Sequence, residues 1–120
     1  MTSQHLLYAA LVGLGGGAGA VCRYLVGLAL NKPQGFPFGT LAVNLLGCFL
    51  IGLALHLDER TKFLCVTGFL GGFTTYSAFG LESLQLLKSQ PTQGILYLGL
   101  HLLCGLAAVW AGLKLAGSPV

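Results

Sequence analysis

Charged side chains divide the chain into four long uncharged runs, Leu6–Cys22, Pro33–Leu55, Phe63–Leu81 and Ser89–Leu113. A helix of about 20 apolar residues crosses the hydrocarbon core of a bilayer. The pattern therefore predicts four membrane helices, at about residues 5–30, 38–57, 62–87 and 93–115, in one membrane domain covering 1–120. Apolar residues surround each predicted helix instead of forming a stripe, as expected where lipid is the solvent. The intervening loops are short. Asn31-Lys32-Pro33-Gln34-Gly35-Phe36-Pro37 is marked by prolines, glycine and polar residues, Leu57–Lys62 by charge, and Lys88–Gly94 by a central proline.

The third run departs from a simple lipid-facing helix. Gly68-Phe69-Leu70-Gly71-Gly72-Phe73-Thr74-Thr75-Tyr76-Ser77-Ala78-Phe79 places glycines, threonines and a serine in mid-segment. Such residues favour interruption of the helix. Hydrocarbon offers no hydrogen bonds, so backbone groups freed there must find partners in protein or in a water-filled path. An interrupted membrane helix is in turn a place where an ion or substrate sits.

Composition narrows the function classes. With 55% hydrophobic and 8% charged residues and a mean hydropathy of +0.83, nearly the whole chain of 120 residues belongs to the bilayer, which leaves function to the helices. The net charge of +3 comes from scattered residues, Arg23, Lys32, Arg60, Lys62, Lys88 and Lys114, so no nucleic-acid patch exists. With the amino terminus inside, Arg60, Lys62 and Lys114 face Lys32 and Lys88, or these two plus Arg23. Orientation follows from such a difference; a near tie predicts insertion in both orientations. Cys22, Cys48, Cys65 and Cys104 fall one per helix and read as small apolar residues, without a disulfide framework or CxxC pair. Ala18-Gly19-Ala20 imitates a signal-peptidase site, but no Lys or Arg precedes the apolar run, and helical sequence resumes with Arg23-Tyr24-Leu25.

The candidate chemistry lies on helix faces. In the first helix Gly13 with Gly17 and Gly15 with Gly19 make two GxxxG spacings for close helix approach. Gly13, Gly15 and Ala18 also spell a GxGxxA dinucleotide fingerprint, which lacks the strand and aqueous βαβ unit it needs. Arg23 either snorkels to the interface or faces an anion-accessible cavity, and position alone leaves both readings open. Thr40, Asn44 and Cys48 share a face; an asparagine there makes an interhelical hydrogen bond or forms part of a polar stripe along a pore. Tyr76, Phe79, Glu82 and Ser83 repeat down one side of the third helix. Aromatic stripes usually pack, but ring edges are partly positive and accept a small anion in a dry passage. Glu82, where the uncharged run stops, reads as an interfacial helix-end carboxylate. In the last helix Tyr97, His101 and Gly105 follow at intervals of four, while Trp110, Lys114 and Ser118 suit an interfacial end.

Taken together, Gly15-Gly16-Gly17-Ala18-Gly19-Ala20 with Arg23-Tyr24, Phe38-Gly39-Thr40 with Asn44, Gly71–Phe79 and Tyr97 resemble the Fluc or CrcB family of microbial fluoride channels, in order and over nearly the whole chain. The resemblance implies an all-α membrane protein of four transmembrane helices with a broken third helix. It implies an antiparallel, dual-topology homodimer in the bacterial inner (plasma) membrane, multi-pass and surrounded by lipid. Two pores would export cytoplasmic fluoride passively. The fluoride pathway it implies consists of Arg23 as a vestibule residue, Asn44, the aromatics Tyr76 and Phe79 with their ring edges toward fluoride, hydroxyl-bearing Thr40 and Tyr97, and the acidic Glu82, with His101 on the same track. Backbone carbonyls of Gly71 and Thr74 would hold a structural sodium ion at the dimer axis.

Two positions depart from the family pattern. Tyr76 stands where phenylalanine is common, and His101 where a serine is expected. Protonation of an imidazole, near pH 6.5 when unperturbed, places a cation in the path and predicts pH-dependent flux. Two other readings compete. A small multidrug-resistance-like, proton-coupled antiporter needs an embedded carboxylate, which the first helix lacks; a non-transporting assembly subunit explains the GxxxG spacings but not Thr74, Thr75 and Ser77. No constellation for enzymatic catalysis is present.

Overall fold

The computed structural model describes all 120 residues as an all-helical bundle. Helix α1 is Ser3–Leu30, and α2 is Phe38–His56 with a 3₁₀ last turn. The third span, Glu59–Ser89, comprises α3 (residues 59–73) and α4 (Tyr76–Ser89), with Thr74 and Thr75 between them. Helix α5 is Pro91–Leu115. Four spans are thus long and apolar enough to cross a membrane. The third ends at Ser89, close to the predicted end at about 87, with Gln90 as its cap.

Local chemistry sets the ends. The Thr2 hydroxyl accepts from the His5 backbone N–H to start α1, and the Asp58 carboxylate accepts from the Thr61 N–H to start α3. Hydrogen bonds from the Thr61 side chain and backbone hold the Asp58 carboxyl below the usual carboxylate range. Asn31, which follows α1, reaches across the loop so that its Oδ1 accepts from Gly39 N at 2.7 Å, tying the exit of α1 to the entry of α2. Pro91 occupies the first turn of α5, where its missing N–H costs nothing. Two stretches, Lys62–Leu70 in α3 and Leu100–Cys104 in α5, are wound as π-helix.

Packing is organised by small residues. Helix α1 lies against α3, and α2 lies against the second half of α5. Gly15 and Gly19 make the first contact possible: a Cβ at Gly19 would meet the Phe69 carbonyl oxygen and stand 2.8 Å from Phe73 N. The second GxxxG pair is not used within the chain, for a Cβ at Gly13 or Gly17 meets nothing. Gly52 and Gly112 play the same part between α2 and α5. Only 17 of 120 residues are buried, and the one apolar cluster is Val43, Leu70 and Phe73, with Cys22, Val26, Leu50 and Phe69 beside it. Close backbone approach therefore holds this bundle more than a thick core does, as in membrane bundles generally.

Gly19→Val forces α1 off α3 and is expected to lower stability by about 1–3 kcal/mol, the usual cost of overpacking. Gly13→Ala, with open space around it, is expected to stay within about 0.5 kcal/mol. Denaturant titration of both variants in detergent micelles reads the difference; equal stability would contradict the packing.

Candidate ion pathway

The site is built around two residues in extended conformation. Thr74 (φ −85, ψ 159) and Thr75 (φ −151, ψ 118) leave the helical path between α3 and α4. An extended residue presents its N–H and its C=O to the same side, as a strand does to its neighbour. Asn44 of α2 occupies that side. Thr75 N donates to Asn44 Oδ1 at 2.8 Å, and Asn44 Nδ2 donates to Thr75 O at 3.0 Å, so the side-chain amide pairs with the backbone as a second strand would. Of the two readings offered for Asn44 from sequence, the interhelical hydrogen bond is present, and the residue also lines a cavity.

Diverting the backbone releases carbonyls. In a continuous helix Gly71 O, Gly72 O and Thr74 O would accept from the N–H four residues on. Thr75 N instead goes to Asn44, and Ala78 N goes to the Thr75 hydroxyl, which caps α4. Gly72 O accepts from Arg23 Nε at 2.9 Å. Arg23 thus turns inward, half-buried, and neutralises one released carbonyl; it does not simply snorkel. The Thr74 hydroxyl donates to Leu70 O at 2.9 Å, closing the last turn of α3.

Glu82 departs from its expected place as an interfacial helix-end carboxylate. It sits midway along α4 and accepts two hydroxyl protons, from Thr40 to Oε1 at 2.9 Å and from Tyr97 to Oε2 at 2.6 Å. The charge lies inside because these hydroxyls replace water around it, a requirement for any embedded carboxylate. Tyr97 is fully buried beneath it. On the next turn His101 donates from Nδ1 to Tyr97 O at 3.1 Å and places Nε2 3.1 Å from Asn44 Nδ2. The π-helical winding of Leu100–Cys104 gives His101 its place; such turns recur at functional sites.

Aromatic rings close the assembly. Phe79 lies 5.7 Å from Tyr76, 5.6 Å from Tyr97 and 4.2 Å from the imidazole of His101, measured between ring centroids. Tyr97 and His101 meet edge to face at 4.4 Å. Tyr76 is 83% exposed on the single chain, so one side of the aromatic pair is open.

Three cavities lie among these groups. One of about 440 Å³ is lined by Asn44, Gly71, Thr74, Thr75, Tyr76, Phe79 and His101. A second, of about 380 Å³, shares Thr75 with it and adds Arg23, Thr40 and Glu82. A third, of about 710 Å³, shares Glu82 and Asn31 with the second and opens among Lys32, Lys88, Gln85 and Gln90. Each residue that the resemblance put on the pathway lines one of these cavities except Tyr97, which is buried and reaches Glu82 through its hydroxyl. Ser83, also on the sequence stripe, turns away, its hydroxyl donating to Phe79 O. Sequence reasoning missed Thr75 as the partner of Asn44, Asn31 at the junction of two cavities, and Phe36, whose ring meets Tyr97 at 5.4 Å. Asn31 carried a faint signal, an asparagine between a helix and a Lys-Pro turn; Phe36 carried none.

Known proteins match the chain closely. The family profile described as CrcB-like protein, Camphor Resistance (CrcB), matches residues 10–113. A protein of Methanopyrus kandleri named fluoride-specific ion channel FluC is 42% identical over 114 residues, covering 89% of this chain and 87% of the relative. Relatives with the same name from Flavobacterium psychrophilum (44% identical; 88% and 93% covered) and Rhizobium etli (43%; 92% and 96%) are similar over the same extent. At that identity and coverage, the order of motifs from the glycine run of α1 to Tyr97 reflects common descent: the chain belongs to the CrcB family.

Proposed function

We infer that this chain is a fluoride-selective channel that lets cytoplasmic fluoride leave down its gradient, working as an antiparallel, dual-topology homodimer with two pores in a bacterial plasma membrane. The observation that carries the reading is the set of uncharged hydrogen-bond donors, Thr40 and Asn44 lining neighbouring cavities and Tyr97 buried behind them, with the rings of Phe79 and Tyr76 on the Asn44 cavity. The relatives' name, fluoride-specific ion channel, agrees with it.

The physical task is to strip a small, strongly hydrated anion of water without trapping it. A bare charge in a low-dielectric layer is very costly unless donors replace its hydration shell. Thr40 and Tyr97 already direct their hydroxyl protons at an anion, the Glu82 carboxylate, and are thereby oriented for a second one. Fluoride arriving from the Lys32 and Lys88 side takes the place of a carboxylate oxygen, and the third cavity gives the Glu82 side chain room to withdraw. Asn44 and the ring edges of Phe79 and Tyr76 receive the ion next. Each contact is neutral and individually weak, which conduction requires. Hydrofluoric acid enters cells uncharged and ionises in a more alkaline interior, so a passive path is enough for export.

A structural sodium ion fits the same reading. Gly71 and Thr74 have lost their helical N–H partners to Asn44 and to the Thr75 cap, which leaves an oxygen donor set suited to a hard cation. Such an ion would be held by these two carbonyls and their counterparts in the second subunit, and would supply positive potential and a tie between the two extended segments. The interrupted third helix is then the feature that serves pore and dimer together.

One observation favours the proton-coupled antiporter, namely the inward position of Glu82. Against it, both carboxylate oxygens are engaged by hydroxyls, and no second acidic residue lies in the bundle interior.

In liposomes loaded with both halides, purified protein is expected to release fluoride and retain chloride, followed with ion-selective electrodes; equal release would exclude the reading. Asn44→Asp sets a carboxylate oxygen against the Thr75 carbonyl and removes both N–H donors, and Phe79→Ile removes the ring edge. Each is expected to slow fluoride flux at least tenfold, roughly 1.4 kcal/mol of stabilisation, with the dimer retained on size-exclusion chromatography. Reporters active on opposite sides of the membrane, fused to the carboxy terminus, are expected to signal together; a one-sided signal would refute dual topology.

A further inference from the structure

The Asn44 amide has two N–H groups to place. Its orientation is fixed by Thr75, which donates to Oδ1 and accepts from Nδ2; turning the amide over would set N–H against N–H and oxygen against oxygen. The second N–H therefore has one direction available, and it points at His101 Nε2, 3.1 Å away. The state of the imidazole follows from its other side. Nδ1 faces the Tyr97 carbonyl, which only accepts, so Nδ1 carries the proton and Nε2 of the neutral ring is a lone pair. In this arrangement both Asn44 N–H groups are committed, and none is left for an anion.

We propose that His101 is a positioning residue that decides whether Asn44 has a donor for fluoride, withholding it while the imidazole is neutral and releasing it when Nε2 takes up a proton. The proposal rests on the channel reading above. A proton from water on Nε2 turns the acceptor into a donor and gives an imidazolium with N–H groups at both nitrogens. Asn44 Nδ2–H and His101 Nε2–H then face one another as two donors, an arrangement that is repulsive when empty and favourable with an anion between them. Rotation of the ring is a poor alternative route to release. Phe79 covers the ring at 4.2 Å, Tyr97 meets it edge-on at 4.4 Å, and the Nδ1 bond to the backbone holds its orientation.

The groups around the imidazole are few. Cys48 from α2 and Tyr76 from α4 line the same cavity, and α3 contributes only uncharged residues there, among them Val66, Leu70 and Gly71. Tyr97 lies one turn before it on α5 and carries Glu82 of α4 on its hydroxyl. Arg23 of α1 belongs to the neighbouring cavity and is bonded to Gly72 O. Glu82 is the one carboxylate among these groups, so the imidazolium has a counter-charge within the network. A serine at this position has no lone pair that reaches Asn44 in the same way and does not titrate in this range.

The experiment compares wild type, His101→Gln and His101→Ser in proteoliposomes at equal pH on both sides, with the leak of protein-free liposomes subtracted. Wild-type fluoride efflux is expected to rise about tenfold between about pH 8 and about pH 5, the range in which histidine changes charge. His101→Gln keeps an acceptor oxygen for the Asn44 N–H but cannot be protonated there, so it is expected to stay slow throughout. His101→Ser is expected to be fast and flat. A flat wild-type profile, a His101→Gln profile that follows the wild type, or a glutamine variant as fast as the serine variant would overturn the proposal while leaving the channel intact. Fluoride silence from all three at every pH would instead remove the channel reading, and this inference with it. Should a variant fail to fold, ¹⁵N-histidine NMR of the wild type decides alone: the Nδ1–H form at high pH, and a move of the Asn44 side-chain amide signal as Nε2 is protonated, are expected. An Nε2–H form at high pH would overturn the proposal.

Discussion

The paired hydrogen bonds between the Asn44 side chain and the backbone of Thr75 are the interaction on which the rest of the site depends. A backbone that leaves its helix inside a bilayer must have its polar groups met by protein. Asn44 is the smallest side chain that offers a donor and an acceptor in the geometry of a peptide, so one residue of α2 satisfies both groups of an extended residue. Without it, Thr75 would have a buried N–H and C=O to satisfy, and a helical conformation would be preferred. The consequences spread from there. Ala78 turns to the Thr75 hydroxyl, the Gly71 and Thr74 carbonyls lose their helical partners, and Gly72 takes the guanidinium of Arg23.

A second constraint is that each of the hydrogen-bond donors Thr40, Tyr97 and Asn44, in and beside the cavities, has an acceptor within the protein. Thr40 and Tyr97 give their protons to Glu82, and Asn44 gives its two to Thr75 and His101. These donors therefore all have acceptors within the chain. A low-dielectric environment penalises an unsatisfied donor strongly, so a channel that left these groups idle would fill with water or collapse. Internal acceptors such as a carboxylate oxygen and an imidazole lone pair keep them oriented.

Packing places these groups without a large core. Gly15 and Gly19 bring α1 within backbone distance of α3, which sets Arg23 opposite Gly72, and Gly52 with Gly112 bring α5 to α2 about three turns beyond His101. The outward faces remain apolar because lipid, not water, is their solvent. The unused pair, Gly13 and Gly17, leaves an open strip of α1 on the same helix that buries Gly15 and Gly19.

The number and approximate extent of the membrane spans were legible from the sequence, since hydrocarbon imposes length and apolarity on any segment that crosses it. So were the irregularity after Gly71 and the helix-face neighbours Thr40 with Asn44 and Tyr97 with His101, because helical periodicity is local. Family membership was legible from the order of motifs. Partnership between helices was not. The sequence put Glu82 at an interface because charge usually marks one, and only the approach of α2 and α5 supplied the two hydroxyls that let it lie inside. It left Arg23 open between lipid edge and cavity, a choice decided by a carbonyl 49 residues away in the chain. It carried no sign of the π-helical turns or of the tautomer of His101, which depend on a neighbouring carbonyl and an amide from another helix. Propensity and period act within a few residues, whereas the hydrogen-bond partner of a buried group is settled by which helix the glycines allow to come close.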